Sequence, residues 1–126
     1  MRVVDTSVWI EWIVGSVLGE TLALELPSND QWIVPTIVQY ELSRWIAREM
    51  SEAAAARAIA FSKELVVAPL TTDIATQAAA YAKLHGLATA DAIIFATAKD
   101  ARADLLTCDA HFAKLPSVTY FKKGPG

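Results

Sequence analysis

The sequence predicts an α/β fold: a three-layer α/β/α sandwich with a mainly parallel central sheet. Three observations carry this. Short apolar runs of strand length recur along the chain, segments of helix length separate them, and proline, glycine or a polar cap bounds each one. Parallel neighbours need crossover connections and are buried on both faces, so their strands are continuously apolar rather than alternating.

Val3 and Val4 form a short buried strand ending at Asp5, and Thr6-Ser7 offers a helix N-cap ahead of Val8, Trp9, Ile10, Trp12 and Ile13. Gly15 and Gly19 separate this helix from a second over Thr21 to Leu26, which Pro27-Ser28-Asn29-Asp30 stops. Trp32-Ile33-Val34 is the second strand, ended by Pro35. Thr36 and Gln39 have capping-box spacing for a helix through Ile37, Val38, Tyr40, Leu42, Trp45 and Ile46. Ser51 and Glu52 start another helix, and its alanine-rich run from Ala53 to Leu65 favours helix strongly. Val66-Val67-Ala68 reads as a third strand closed by Pro69. A helix from Thr72 to about His85 stops at Gly86, and Thr89 caps the next, Ala90 to Arg102. Asp104 to Thr107 is a fourth strand, Asp109 to Lys114 a helical turn, and Val118 to Phe121 a last strand; Lys122 to Gly126 reads as a frayed end.

The 126 residues, 54% hydrophobic and 20% charged, suit a single domain over 1–126 with a core that needs no disulfide or structural metal. Disorder is excluded by this composition. Mean hydropathy is +0.33, yet no run approaches the ~20 apolar residues of a spanning helix. Asp5 and Glu11 interrupt the N-terminal apolar residues before a secretory h-region forms, and the lone Cys108 allows no disulfide within the chain. A cytoplasmic protein is the expectation.

Open parallel sheets bind ligands beyond the C-terminal ends of their strands, and this sequence places acids there. Asp5 ends the first strand and Asp109 follows the fourth. Glu41 shares a helical stripe with Ile37, Val38 and Trp45, and Asp91 shares one with Ile94 and Phe95, so both can face inward. Each has a plainer reading alone: an Asx turn at Asp5, an ion pair from Glu41 to Arg44, a helix-dipole partner at Asp91 and an N-cap at Asp109. Those readings give no reason for four segments to converge on one edge, which a shared site does.

Carboxylates gathered in one cleft repel, so the cluster calls for shared protons or a cation. Oxygen ligands favour Mg²⁺ or Mn²⁺ over zinc or copper. Cys108, His85 and His111 lack any CxxC or HExxH spacing; they read as a buried small residue, a helix C-terminal cation, and a surface or supporting group. Thr6, Ser7 and Thr107 can orient the carboxylates through their hydroxyls, or simply cap. Mg²⁺ on carboxylates suits phosphodiester hydrolysis. Neither a glycine-rich phosphate loop nor a GxSxG elbow occurs, so Rossmann, P-loop and serine-hydrolase chemistry drop out.

With these residues in place, the chain resembles the PIN-domain ribonucleases of the VapC toxin type over nearly its whole length. Val3-Val4-Asp5-Thr6-Ser7-Val8-Trp9 is similar to that family's first motif, and Val34-Pro35 leading to Glu41 to its second. Leu87 to Ile94 around Asp91 is similar to the third. Leu105 to Phe112, with Thr107 as the hydroxyl and Asp109 as the last acid, is similar to the fourth. Cys108 departs from the pattern where a basic or polar residue is frequent. The resemblance implies Mg²⁺- or Mn²⁺-dependent endonuclease cleavage of RNA by water, leaving a 5′-phosphate and a 3′-hydroxyl. It also implies catalytic roles for Asp5, Glu41, Asp91 and Asp109, a homodimer, and an antitoxin protein that blocks the site.

The pI of about 5.3 argues against nucleic acid at first sight. Setting aside the four acids leaves 11 basic against 10 acidic side chains, a remainder of +1. Arg44 and Arg48, beyond Glu41, and Lys99 and Arg102, on the Asp91 helix, are candidates for RNA contact, although such residues are often solvated faces. Trp9, Trp12 and Trp45 divide between core and a groove for a partner helix. Two other classes compete with the nuclease: a receiver-like Mg²⁺-binding phosphoacceptor, which wants paired acids after its first strand, and an inactive protein-binding module. A housekeeping ribonuclease would share the same site.

Overall fold

The computed structural model is described for residues 1–124; Pro125 and Gly126, the end of the tail read as frayed, lie outside the described residues. Along the chain run β1 (Arg2–Val4), α1 (Thr6–Val14), α2 (Val17–Ala23), β2 (Trp32–Pro35), α3 (Thr36–Glu49), α4 (Glu52–Ser62) and β3 (Val66–Ala68). α5 (Thr72–His85), α6 (Thr89–Asp100), β4 (Asp104–Thr107) and β5 (Val118–Tyr120) follow, with single 3₁₀ turns at Asn29–Gln31 and Ala110–Phe112.

All four strand pairings are parallel, and the order is β3-β2-β1-β4-β5. Val3 pairs with Ile33, Val4 with Leu106 and Thr107 with Tyr120. Right-handed crossovers then put α1 to α4 on one face and α5 and α6 on the other, giving the three layers. The order differs from the 2-1-3-4-5 arrangement of receiver-type sheets, so the phosphoacceptor reading falls. Chain direction across the sheet reverses between β1 and β4. That switch point opens a crevice at their C-terminal ends.

Val3, Val4, Ile33, Val34, Leu105 and Leu106 are buried at the sheet's centre, whereas β3, at the edge, leaves Val66 and Val67 exposed. On one face Trp9, Trp12, Trp32 and Phe61 form an aromatic cluster, the Trp9 and Trp32 rings 4.8 Å apart. Trp9 is therefore core and Trp12 packs on it; Trp45 stands apart on α3.

Four local expectations change. α1 begins at Thr6 with Asp5 as its N-cap residue, and Thr6 and Ser7 spend their hydroxyls elsewhere. The Thr36–Gln39 capping box does not form: Thr36 Oγ1 accepts from the Leu70 amide at 3.2 Å, and Gln39 donates to Ser62 Oγ at 3.0 Å, so tertiary bonds replace the local ones. The residue before α6 is Ala88 and Thr89 is already helical; the helix stops at Asp100, with Arg102 beyond it at φ 53°.

The fourth change is α2, which starts at Val17 under a Ser16 cap that accepts from the Gly19 amide at 2.9 Å. Gly19 is therefore not a breaker. A Cβ there would overlap the Glu11 carbonyl, so the glycine lets α2 lie directly on α1. Because the obstacle is backbone, Gly19→Ala is expected to cost about 1–3 kcal/mol, read as a lowered urea midpoint; an unchanged midpoint contradicts this packing.

Candidate metal centre

The crevice between β1 and β4 receives side chains from four segments. Asp5 leaves the end of β1, its amide bonded to the Leu106 carbonyl at 2.9 Å, and is only 3% exposed. Asp109 lies just beyond β4. Glu41 enters from the second turn of α3, and Asp91 from the first turn of α6.

Hydroxyls hold these acids in place. Ser7 and Thr107, the latter at 2.8 Å, both donate to Asp5 Oδ2. Thr107 Oγ1 also accepts from the Asp109 amide at 3.0 Å, tying two acids to one fully buried threonine. Thr6 donates to Glu41 Oε1 at 2.7 Å. Asp109 Oδ1 accepts from the His111 amide at 2.9 Å, so the N-cap reading holds for Asp109 as well. The His111 ring, expected as a surface or supporting group, stands between two acids. Its Nδ1 is 3.3 Å from Asp91 Oδ2 and 3.3 Å from Asp109 Oδ1, and ligand atoms of the three residues lie within 4.8 Å of one another. The legible signal was its two-residue offset from Asp109, the reach of an Asx turn.

Burial pushes the Asp5 carboxyl up, against the lowering effect of the Ser7 and Thr107 bonds, and the charges of Asp109 and Glu41 push it further. Burial likewise raises Glu41, with Asp91 and Asp109 adding repulsion, and raises Asp91, with Asp109 and Asp5 adding theirs. Asp5, Glu41 and Asp91 are thus each pushed up by two of the other acids. Among the described residues none of the four acids pairs with a lysine or arginine; His111 is their one basic neighbour. An edge of carboxylates with one imidazole, and no lysine or arginine paired to it among the described residues, fits a divalent ion that takes mainly oxygen ligands, and the His111 nitrogen suits Mn²⁺ better than Mg²⁺.

Where the folded carboxyl lies above its unfolded value, the folded chain binds protons that the unfolded chain has released, so stability falls as pH rises through the folded value. Metal-free protein is expected to melt higher as pH drops from neutral toward the ordinary carboxylate range. Glu41→Gln, which keeps an acceptor for Thr6, is expected to raise the metal-free melting temperature by a few degrees at pH 7.5. A fall would contradict the repulsion.

The remaining candidates separate. Arg44 and Arg48 line a groove that begins at Thr6 and Glu41. Lys99 and Arg102 sit at the far end of α6 with Asp104, the first residue of β4, near the opposite edge of the sheet. The helix that delivers Asp91 at its N-terminus carries Lys99 about 12 Å away along its axis. Cys108 is buried and free, and burial raises its thiol. His85 packs against Tyr81 and Phe95 at the end of α5.

The fold is thus an open parallel α/β domain whose switch point is lined by acids. The chain belongs to the PIN domain family, whose sequence pattern matches residues 2–118. Its fold is similar to a toxin–antitoxin complex from Klebsiella pneumoniae, with TM-score 0.81 and 24% identity over 94% of this chain and 96% of that one. VapC20 of Mycobacterium tuberculosis, a sarcin–ricin loop cleaving toxin, is similar at TM-score 0.76 and 23% identity over 94% and 97%. FitAcB of Neisseria gonorrhoeae is similar at 0.74 and 23% over 97% of both chains. At these identities the likeness is one of fold. No curated protein sequence matches the chain. None of the described helices is long and apolar enough to cross a membrane.

Proposed function

We propose that the protein is a Mg²⁺- or Mn²⁺-dependent endoribonuclease, the toxin of a toxin–antitoxin pair. One observation carries the reading: within a PIN fold, four carboxylates from four segments lie in electrostatic reach of one another at the sheet's switch point, and among the described residues none of them pairs with a lysine or arginine. Asp5, Glu41, Asp91 and Asp109 would hold the ion. When bound, the divalent ion supplies a Lewis acid for a phosphate oxygen and a lowered pKa for water.

The chain's own residues supply position. Both hydroxyl bonds to Asp5 fall on Oδ2, which leaves Oδ1 without a side-chain donor among the described residues. Thr107 sets the spacing between Asp5 and Asp109, and Thr6 fixes Glu41. In the reaction a water oxygen bonds to phosphorus, the P–O3′ bond breaks and a proton ends on O3′, leaving a 5′-phosphate and a 3′-hydroxyl. Arg44 and Arg48 stand on the right side of the molecule for phosphate contact; Lys99 and Arg102 do not.

The partner belongs to the same reading. Several of the similar solved structures are toxin–antitoxin complexes. Here the surface between α1 and α4, lined by Trp12, Ile13, Met50, Ala54 and Phe61, is the kind of apolar groove that takes an amphipathic antitoxin helix. A homodimer in the cytoplasm completes the proposal.

Purified protein incubated with total RNA and Mg²⁺ should give discrete fragments whose sequenced 5′ ends carry phosphate, and EDTA should stop it. Intact RNA at saturating Mg²⁺ and Mn²⁺ would overturn the proposal. Cleavage without growth arrest on induced expression would make the protein a housekeeping ribonuclease instead of a toxin.

A further inference from the structure

We propose that the groove between α1 and α3 seats an unpaired nucleotide next to the scissile phosphate, its base stacked on Tyr40 and its backbone held by Arg44 and Arg48. This rests on the ribonuclease reading and adds to it the side chains that would seat the strand beside the cut.

The groove starts at the acids. Its inner end is the Thr6–Glu41 hydrogen bond, and its volume is about 310 Å³, room for a base and its sugar. Tyr40, Arg44 and Arg48 follow one another at i, i+4 and i+8 and so form one stripe of α3, while Trp45 lies four residues after Glu41 on the adjoining stripe. Arg44 and Arg48 stand about 4.5 and 10.5 Å along the helix from Glu41, a length that one or two nucleotides of an extended strand cover. Ile10 and half-buried Trp45 give the groove an apolar lining under a basic rim.

Tyr40 is 57% exposed, a large aromatic ring standing in solvent with Arg44 one turn further along α3. Arg44 Nη1 reaches the Tyr40 hydroxyl only at 3.5 Å. Arg48 uses Nε on Glu49 at 3.1 Å, and its Nη atoms have no protein partner among the described residues. Unpaired bases are recognised by stacking on aromatic rings and guanidinium planes while arginines track the phosphates. The deep, narrow major groove of an A-form duplex offers no such base face.

The test is fluorescence anisotropy with a labelled ten-nucleotide oligoribonucleotide of mixed sequence, single-stranded or annealed to its complement. The full chain carries Asp5→Asn so that the strand stays uncut, and Mg²⁺ is present. The single strand should bind more tightly than the duplex. Tyr40→Leu should weaken single-strand binding roughly 5- to 100-fold, and Tyr40→Phe should retain it. Arg44→Ala and Arg48→Ala should each reduce the slope of log K against log salt by about 0.7. Tyr40 is exposed, so its variants test the contact without unfolding the chain. Single-strand binding that Tyr40→Leu leaves unchanged, or equal affinity for strand and duplex, overturns the inference while the ribonuclease reading stands. No binding of either RNA overturns both.

Discussion

Asp5→Asn is expected to reduce RNA cleavage by at least about 10²–10³-fold, the scale on which one preorganised electrostatic group at a reacting centre acts. Asparagine has nearly the shape of aspartate, and its carbonyl oxygen can accept from Ser7 and Thr107 as Oδ2 does now. What it removes is a negative charge at the centre of the cluster, 3% exposed and in the electrostatic reach of Asp109 and Glu41. The loss of activity should therefore come without loss of fold. A metal-free melting temperature equal to or above that of the unsubstituted chain is the companion result, because burial already disfavours the charge. Initial rates on a fixed RNA, beside thermal melts, check both. Full activity, or an unfolded variant, would contradict the account.

Thr107→Val is expected to weaken Mn²⁺ binding about 10- to 100-fold although position 107 would touch no ion. The substitution keeps the shape and deletes the hydroxyl. Asp5 then loses one of its two hydroxyl donors, and the Asp109 amide loses its 3.0 Å acceptor. The first loss drives Asp5 further toward its protonated form, which cannot ligate; the second frees Asp109 to turn. Leaving buried polar groups unpaired should also cost about 1–3 kcal/mol of stability. Titration calorimetry with Mn²⁺ separates the effects, since a purely structural threonine would lower stability and leave affinity alone. Thr107→Ser should restore most of the binding.

The fold class was legible because each strand is a short β-branched or leucine run with a clear stop, and because such runs separated by helices admit few arrangements. Strand order was not legible: nothing in Val3-Val4 or Leu105-Leu106 states that β4 lies beside β1, yet that adjacency brings Asp5 and Asp109 together. The acids themselves stood out at strand ends and inward stripes. Caps were misread where tertiary bonds outcompeted local ones, as at Thr36 and Gln39, and Gly19 looked like a breaker because close helix packing leaves the same residue. Helix direction separates the basic residues: Arg44 and Arg48 run on from Glu41 beside the groove, whereas Lys99 and Arg102 lie toward the far end of the helix that carries Asp91.

The central claim is that Asp5, Glu41, Asp91 and Asp109 share an ion. Anomalous X-ray diffraction from crystals grown with saturating Mn²⁺ tests it most directly. The account expects a peak in the crevice beyond β1 and β4, within about 2.5 Å of carboxylate oxygens from at least two of these residues. A map without a peak there, or with Mn²⁺ bound only elsewhere, would contradict it.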